Sequence, residues 1–328
     1  MSAPNVIVAD IGGTHIRLAI ASGGAVAPAT AKRYAAGDFA GPAEAVRHYL
    51  EETGQGRPDA ACLALAGPVL GRRVSMVNNR WVVDADAFET RTGIADCRLI
   101  NDFEALALAL PSLVPADLIA VGGGVAVPGC RAVLGPGTGL GVAVLAQRDG
   151  VAVAVPSEGG HSGFAPVDAV EIEILRHMTR THGRVSNERL ISGPGLEALH
   201  ITLADIDGRP RTALTALQII DKGLEDRNSE AWRTICAFSA IFGTLAGDIA
   251  LLVGAVGGIY LAGGIAQRLA TVFEDTDFRA RFEAKGRLSY FTETIPVHVI
   301  TGAYAALDGA AAAYANLGAP HGGRRPPK

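Results

Sequence analysis

The 328-residue chain is 49% hydrophobic and 19% charged, with a formal net charge of −4. That supplies apolar surface for two packed domains and excludes a disordered chain, while the missing basic excess argues against nucleic acid or an anionic membrane as partner. Cys62, Cys97, Cys130 and Cys236 lie far apart with no CxxC pair, so neither a zinc site nor a disulfide framework is expected, and a reducing cytoplasm is the expected compartment. The opening MSAPNV has no positively charged region followed by an apolar stretch, so it does not read as a secretion signal.

In chain order, VIVAD, IGGT and HIRLAIA predict strand, tight turn and strand. AGPAEAVRHYLEETG has helical spacing and stops at Gly54, AACLALAGPV reads as a buried strand, and RLINDFEALALALP places a strand before Asn101 and Asp102 and a helix after them. The opening pattern returns in RAVLGPGTGLGVAVLA, an internal echo that predicts two related α/β domains, each with one such hairpin. Helices follow over DAVEIEILRHMTRTHG, GPGLEALHITLAD, TALTALQIIDKGL and SEAWRTICAFSAIFGTLAGDIALLVG, then a strand in GIYLAGGI. The apolar run ending in that strand is long enough to suggest a membrane span. Asp248 within it and Gly254, Gly257 and Gly258 favour a buried helix, a turn and a strand instead. An Ala-rich helix with small residues for close packing precedes a Pro/Gly/Arg tail over 319–328, expected to be disordered.

A glycine turn after a strand brings backbone N–H groups up to an anion with no Cβ in the way. Two such turns occur, one at Gly12-Gly13-Thr14 and one from Gly135 to Gly141, and together they could hold a polyphosphate. Neither is followed by GK[ST], and β-type sequence follows both, which disfavours a P-loop or a dinucleotide-binding turn. Either turn alone also reads as a plain hairpin. Asp10 can face phosphate oxygens only through a cation, and Mg²⁺ with its waters serves; the plain alternative is a carboxylate capping the turn. Of Asn101 and Asp102, one suffices to cap the following helix, leaving a carboxylate at a strand end to act as general base and an amide to meet a hydroxyl. Glu158 and His161 flank two glycines, and Glu188 precedes another Gly/Pro turn. Singly each is an ordinary surface residue; as a set they suit a polyhydroxylated ligand and match no zinc motif. Gly263-Gly264, where a strand becomes a helix, could accept a flat adenine or serve close packing.

Taken in order, VADIGGTHIRLAI, LINDFEALALALP, GPGTGLGVA, PSEGGHSGFAP, SNERLISGPGL and GGIYLAGGI closely resemble the bacterial glucokinase family of the actin-like ATPase and hexokinase superfamily, over about residues 6–315. The resemblance implies a two-domain α/β, actin-like ATPase (ribonuclease H-like) fold with an interdomain cleft. Its small domain would take 1–112 plus 303–318 and its large domain 113–302. It further implies ATP-dependent phosphorylation of the glucose 6-hydroxyl, feeding glycolysis, by a cytoplasmic homodimer. Asp10, Ile11, Gly12, Gly13 and Thr14 look like the first phosphate loop, Gly137, Thr138 and Gly139 like the second, and Gly263 and Gly264 like the adenosine motif. Asp10 would also face Mg²⁺, through water. Asp102 looks like the catalytic base, which also touches the sugar, and Asn101, Glu158, His161 and Glu188 like the sugar-binding residues. The related repressor/open-reading-frame/kinase group carries a cysteine-rich zinc motif that this chain lacks, so no zinc is expected, and the absence of a helix-turn-helix stretch before residue 6 speaks against a repressor. A kinase for another hexose or amino sugar, or an actin-like ATPase without sugar transfer, are the competing readings.

Overall fold

The computed structural model describes residues 3–76, 80–148 and 151–316, so the expected tail at 319–328 lies outside the described residues. The chain divides into two compact units: one runs to Leu113 and resumes at Ala303, the other is Val114–Gly302. The first holds β1 (Asn5–Ile11), β2 (His15–Ser22), β3 (Ala25–Val26), β4 (Lys32–Ala35), β5 (Ala60–Leu65), β6 (Arg73–Ser75), β7 (Val82–Asp84) and β8 (Cys97–Asn101), with helices α1 (Pro42–Thr53), α2 (Ala85–Thr92) and α3 (Asp102–Ala109). The second holds β9 (Leu118–Ala120), β10 (Arg131–Pro136), β11 (Leu140–Arg148), β12 (Val151–Ser157), β13 (Ile259–Leu261) and β14 (Val297–Ile300). Its helices are α4 (Ala169–His182), α5 (Gly193–Ile206), α6 (Ala216–Glu225), α7 (Glu230–Val253), α8 (Gly264–Leu269), α9 (Phe278–Glu283) and α10 (Ser289–Glu293). Helix α11 (Ala305–Asn316) returns to the first unit.

The two main sheets repeat one design. In the first the order is β3-β2-β1-β5-β8, with β4 also on β2; in the second it is β12-β11-β10-β13-β14, extended by β9. In each, one strand of an antiparallel hairpin pairs in parallel with a later strand, and that strand pairs in parallel with a third. The echo between the two glycine turns is thus an echo of topology. Strand β5, AACLAL, is buried at every position, as a parallel strand covered on both faces must be.

The long apolar segment resolves into α7, a stop at Gly254 in the left-handed region (φ 59), and β13. Among the described residues α7 alone is long and apolar enough to cross a membrane, yet 67% of its most apolar window is buried inside the protein. Its glycines explain how. A Cβ on Gly243 would lie 2.1 Å from the Phe278 carbonyl oxygen and one on Gly247 2.3 Å from that of Phe282, so the pair, one turn apart, lets α9 lie against α7. Asp248 accepts a hydrogen bond from Lys285 Nζ at 2.7 Å. The same device holds α11 on α3, where a Cβ on Gly309 would reach within 1.7 Å of the Ala105 carbonyl oxygen.

Candidate active site

In the first unit the parallel strands end together: Ile11 is in register with Leu65, and Leu65 with Asn101. The carboxyl edge of such strands is where α/β sheets place ligands. The turn Gly12-Gly13-Thr14 and the start of α3 both leave from this edge. Asn101 is the residue that caps α3. Its Oδ1 accepts from Phe103 N at 2.9 Å and Glu104 N at 3.1 Å, while Glu104 Oε2 reaches back to Asn101 N at 3.3 Å, a reciprocal capping box. Asn101 Nδ2 donates to the Gly67 carbonyl at 3.1 Å, which leaves the amide one N–H for a ligand and no free acceptor role. With the cap assigned to Asn101, Asp102 stands at the first helical position, where a carboxylate complements the helix's positive end. Its Oδ1 accepts from Phe103 N at 3.0 Å. Burial pushes the Glu104 carboxyl up from its ordinary value, against the backbone hydrogen bond at Asn101 that lowers it.

Asp10 points across the hairpin to its register partner Arg17, whose Nη1 donates to Asp10 Oδ2 at 2.7 Å. This partner was missed in the sequence, although the β1–β2 register could have supplied it. Ile11 is fully buried, so only its backbone faces the turn. Thr14 keeps its hydroxyl near the surface, 2.9 Å from His15 Nδ1.

In the second unit, residues far apart in sequence converge. His161 lies between two carboxylates, its Nδ1 3.8 Å from Glu188 Oε1 and its Nε2 4.0 Å from Glu158 Oε2. Glu188 also reaches the second glycine turn: its Oε2 accepts from Leu140 N at 2.9 Å. The turn is tied to α5 by Gly193 N, which donates to the Gly137 carbonyl at 2.8 Å, a contact the quoted SGPG motif contained but did not reveal. Gly263 closes the group, for a Cβ there would stand 2.6 Å from the Pro136 carbonyl oxygen. Glu158, His161, Glu188, the turn Gly137-Thr138-Gly139 and Gly263-Gly264 therefore form one continuous region.

The glycines sort into two kinds. Gly135 and Gly263 are demanded by the fold, since an added Cβ would lie 2.2 Å from the Ala262 oxygen and 2.6 Å from the Pro136 oxygen, and Gly263 has φ +88; one on Gly139 would press on the Glu188 carboxylate, 2.6 Å from Oε2. Gly12, Gly137 and Gly264 are under no such demand. A Cβ on Gly12 would meet only the His15 oxygen at 3.6 Å, and those on Gly137 and Gly264 nothing within 4 Å, all with ordinary φ. Glycine at a position where the protein itself has room leaves backbone bare for something outside the protein.

Comparison with known proteins shows the family of the chain. The family model for glucokinase matches residues 7–317.

The chain belongs to the glucokinase family.

The glucokinase of Caulobacter vibrioides is 45% identical over 315 residues, covering 94% of each chain. That of Chromobacterium violaceum is 40% identical, covering 96% of this chain and 90% of its own. Among solved structures, a glucokinase from an Antarctic psychrotroph superposes with a TM-score of 0.84 at 33% identity, over 95% of this chain and 99% of that one. A ROK family glucokinase from Streptomyces griseus, solved with glucose and AMPPNP, shares the fold at a TM-score of 0.65 and 20% identity, over 96% of this chain and all of its own.

Proposed function

We infer that this member of the glucokinase family transfers the γ-phosphoryl group of ATP to the 6-hydroxyl of glucose, giving glucose 6-phosphate and ADP. The observation that carries the reading is Glu188, which holds the second phosphate turn through Leu140 N and faces His161 with its other oxygen. One side chain joins a polyol-binding cluster to a bare glycine turn. A plain ATPase has no use for the cluster, and a plain sugar-binding protein none for the turn.

Phosphoryl transfer asks a protein chiefly for positioning and charge neutralisation. Gly12 N and Gly137 N close the two turns on the His15 and Gly139 carbonyls, so Gly13, Thr14, Thr138 and Gly139 are the residues whose N–H groups meet the phosphates, and Gly263-Gly264 offers a flat surface to adenosine. Asp102 accepts the proton of the attacking 6-hydroxyl. Asn101, with its one remaining N–H, and Glu158, His161 and Glu188 hold the other hydroxyls. Among the described residues no cluster of three His, Cys, Asp or Glu side chains is placed for a metal ion. That fits Mg²⁺, which takes one or two carboxylates, waters and substrate phosphates in place of an all-protein cage. Asp10 has one carboxylate oxygen on Arg17 and the other available to a metal-bound water. When bound, the ion neutralises phosphate charge.

We read the fold as the actin-like, ribonuclease H-like type with domains 1–112 plus 303–318 and 113–302, the assembly as a homodimer, and the compartment as the cytoplasm. The free cysteines support the last point; burial pushes the Cys62 thiol up to about 12. The test is ADP release measured with no sugar and with each of glucose, fructose, mannose and an N-acetylated hexosamine. Release with glucose above all others supports the reading, a different preferred sugar reassigns the substrate, and sugar-independent hydrolysis rejects the kinase.

A further inference from the structure

The register of the first sheet sets three charged side chains in one row. Asp10 on β1 is paired with Arg17 on β2, and Arg17 with Arg33 on β4, so the three stand side by side on one face. Arg17 is bound to Asp10, its Nη1 2.7 Å from Oδ2. Arg33 is exposed and, among the described residues, its side chain makes no hydrogen bond or ion pair. Its neighbours differ: Lys32 and Tyr34 fall on the opposite face, where Glu52 takes both, at 3.0 and 2.5 Å. His15, two residues before Arg17, shares the face of the row and feels both guanidiniums. Burial first, then the charges of Arg33 and Arg17, hold its imidazole below the ordinary 6.5.

Like charges directly opposite in an antiparallel pair are destabilising. One carboxylate does not neutralise two guanidiniums, so the row carries an unbalanced positive charge. Its place in the fold gives that charge a use. Ala36 N donates to the Thr14 carbonyl at 2.9 Å, which ties the end of β4 to the first glycine turn and sets the row beside the N–H groups of Gly13 and Thr14. A guanidinium presents a planar fork of donors matched to phosphate oxygens, and backbone N–H groups add to it. We propose that Arg17 and Arg33 form an anion subsite that takes a phosphate group beside the first glycine turn. Arg17 holds Asp10 through Nη1 and turns its remaining donors to the ligand, while Arg33 has its whole fork to offer. The phosphate belongs to the nucleotide or to a free phosphomonoester such as a sugar phosphate; the first source rests on the kinase reading, and the subsite itself does not.

Inorganic phosphate alone, titrated by calorimetry and followed by melting temperature, tests the subsite on the whole protein. Wild type is expected to bind it and to melt higher in its presence. Arg33→Gln removes the charge that faces Arg17, so this variant melts at the same temperature or higher without ligand, yet binds phosphate about tenfold or more weakly. Arg47→Gln, at an exposed arginine on α1, leaves the affinity unchanged. The same titration with ATP, ADP and glucose 6-phosphate names the source: a matching loss for the nucleotides assigns the subsite to them, and one for glucose 6-phosphate alone assigns it to the sugar phosphate. A wild type that binds none of the four, an Arg33→Gln variant that binds all four as wild type does, or one that melts lower without ligand, as loss of a structural partner requires, overturns the proposal.

Discussion

Replacing Gly137 by alanine separates a phosphate turn from a mere hairpin. The new methyl group meets nothing within 4 Å and the backbone is outside the left-handed region, so the fold has no objection to it. A compatible Gly→Ala change narrows the unfolded ensemble and leaves stability equal or higher by about 0.4–1 kcal/mol. The same methyl stands where a phosphate must approach the turn's N–H groups. Losing one hydrogen bond to a charged group costs about 1.5–3 kcal/mol, which is roughly a ten- to 150-fold fall in kcat/KM for ATP. Gly139→Ala is the contrast: its Cβ would press on Glu188 Oε2 at 2.6 Å and push the carboxylate off Leu140 N, so that variant also loses a hydrogen bond to a charged group, worth about 1.5–3 kcal/mol. Urea denaturation midpoints and the KM for ATP at saturating glucose are the readouts. If Gly137→Ala keeps both its stability and its ATP kinetics, the turn holds no phosphate; if it unfolds, the reasoning about which glycines the fold needs is wrong.

Three further outcomes are expected. Asp102→Asn keeps glucose binding, by titration calorimetry, while kcat falls about 10²- to 10⁴-fold, the range for a lost general base; near-normal turnover removes Asp102 from that role. Glu188→Ala raises the KM for both glucose and ATP because it frees Leu140 N as well as the space beside His161, whereas Glu158→Ala raises only that for glucose; equal behaviour of the two variants contradicts the bridging role. Burial against Thr234 holds the His200 imidazole below its ordinary 6.5, so the folded protein keeps it neutral while the unfolded chain protonates it. The associated stability is complete above pH 6.5 and lost as pH falls toward the folded value, by at most about 1.4 kcal/mol per pH unit. Thermal melts at pH 7.5 and 5.5 should show a smaller drop for His200→Gln than for wild type.

What could be read from the chain alone followed from how local each signal is. The hairpins are contiguous patterns of apolar run, glycine turn and apolar run, and so are the buried helix α7 and its stop at Gly254. Strands β3 and β4 were not anticipated, since one has two residues and the other, KRYA, is mostly exposed and carries no alternation. β6, β7, β9 and β14 are three or four residues long, too short for a period to show. At the site, Asn101 and Asp102 were legible as a pair, but which one caps the helix depends on where α3 begins. The meeting of Glu158, His161 and Glu188 depends on packing between segments some 30 residues apart. Neither the Glu188 bond to Leu140 N nor the Gly193 bond to Gly137 has any trace in spacing.

The central claim is transfer to glucose, and the stoichiometry of its products tests it most directly. With purified protein, ATP, Mg²⁺ and glucose, ADP and glucose 6-phosphate are expected to appear together, one for one, with neither formed when glucose is left out. ADP accumulating without glucose 6-phosphate, at the same rate with or without the sugar, would contradict the account.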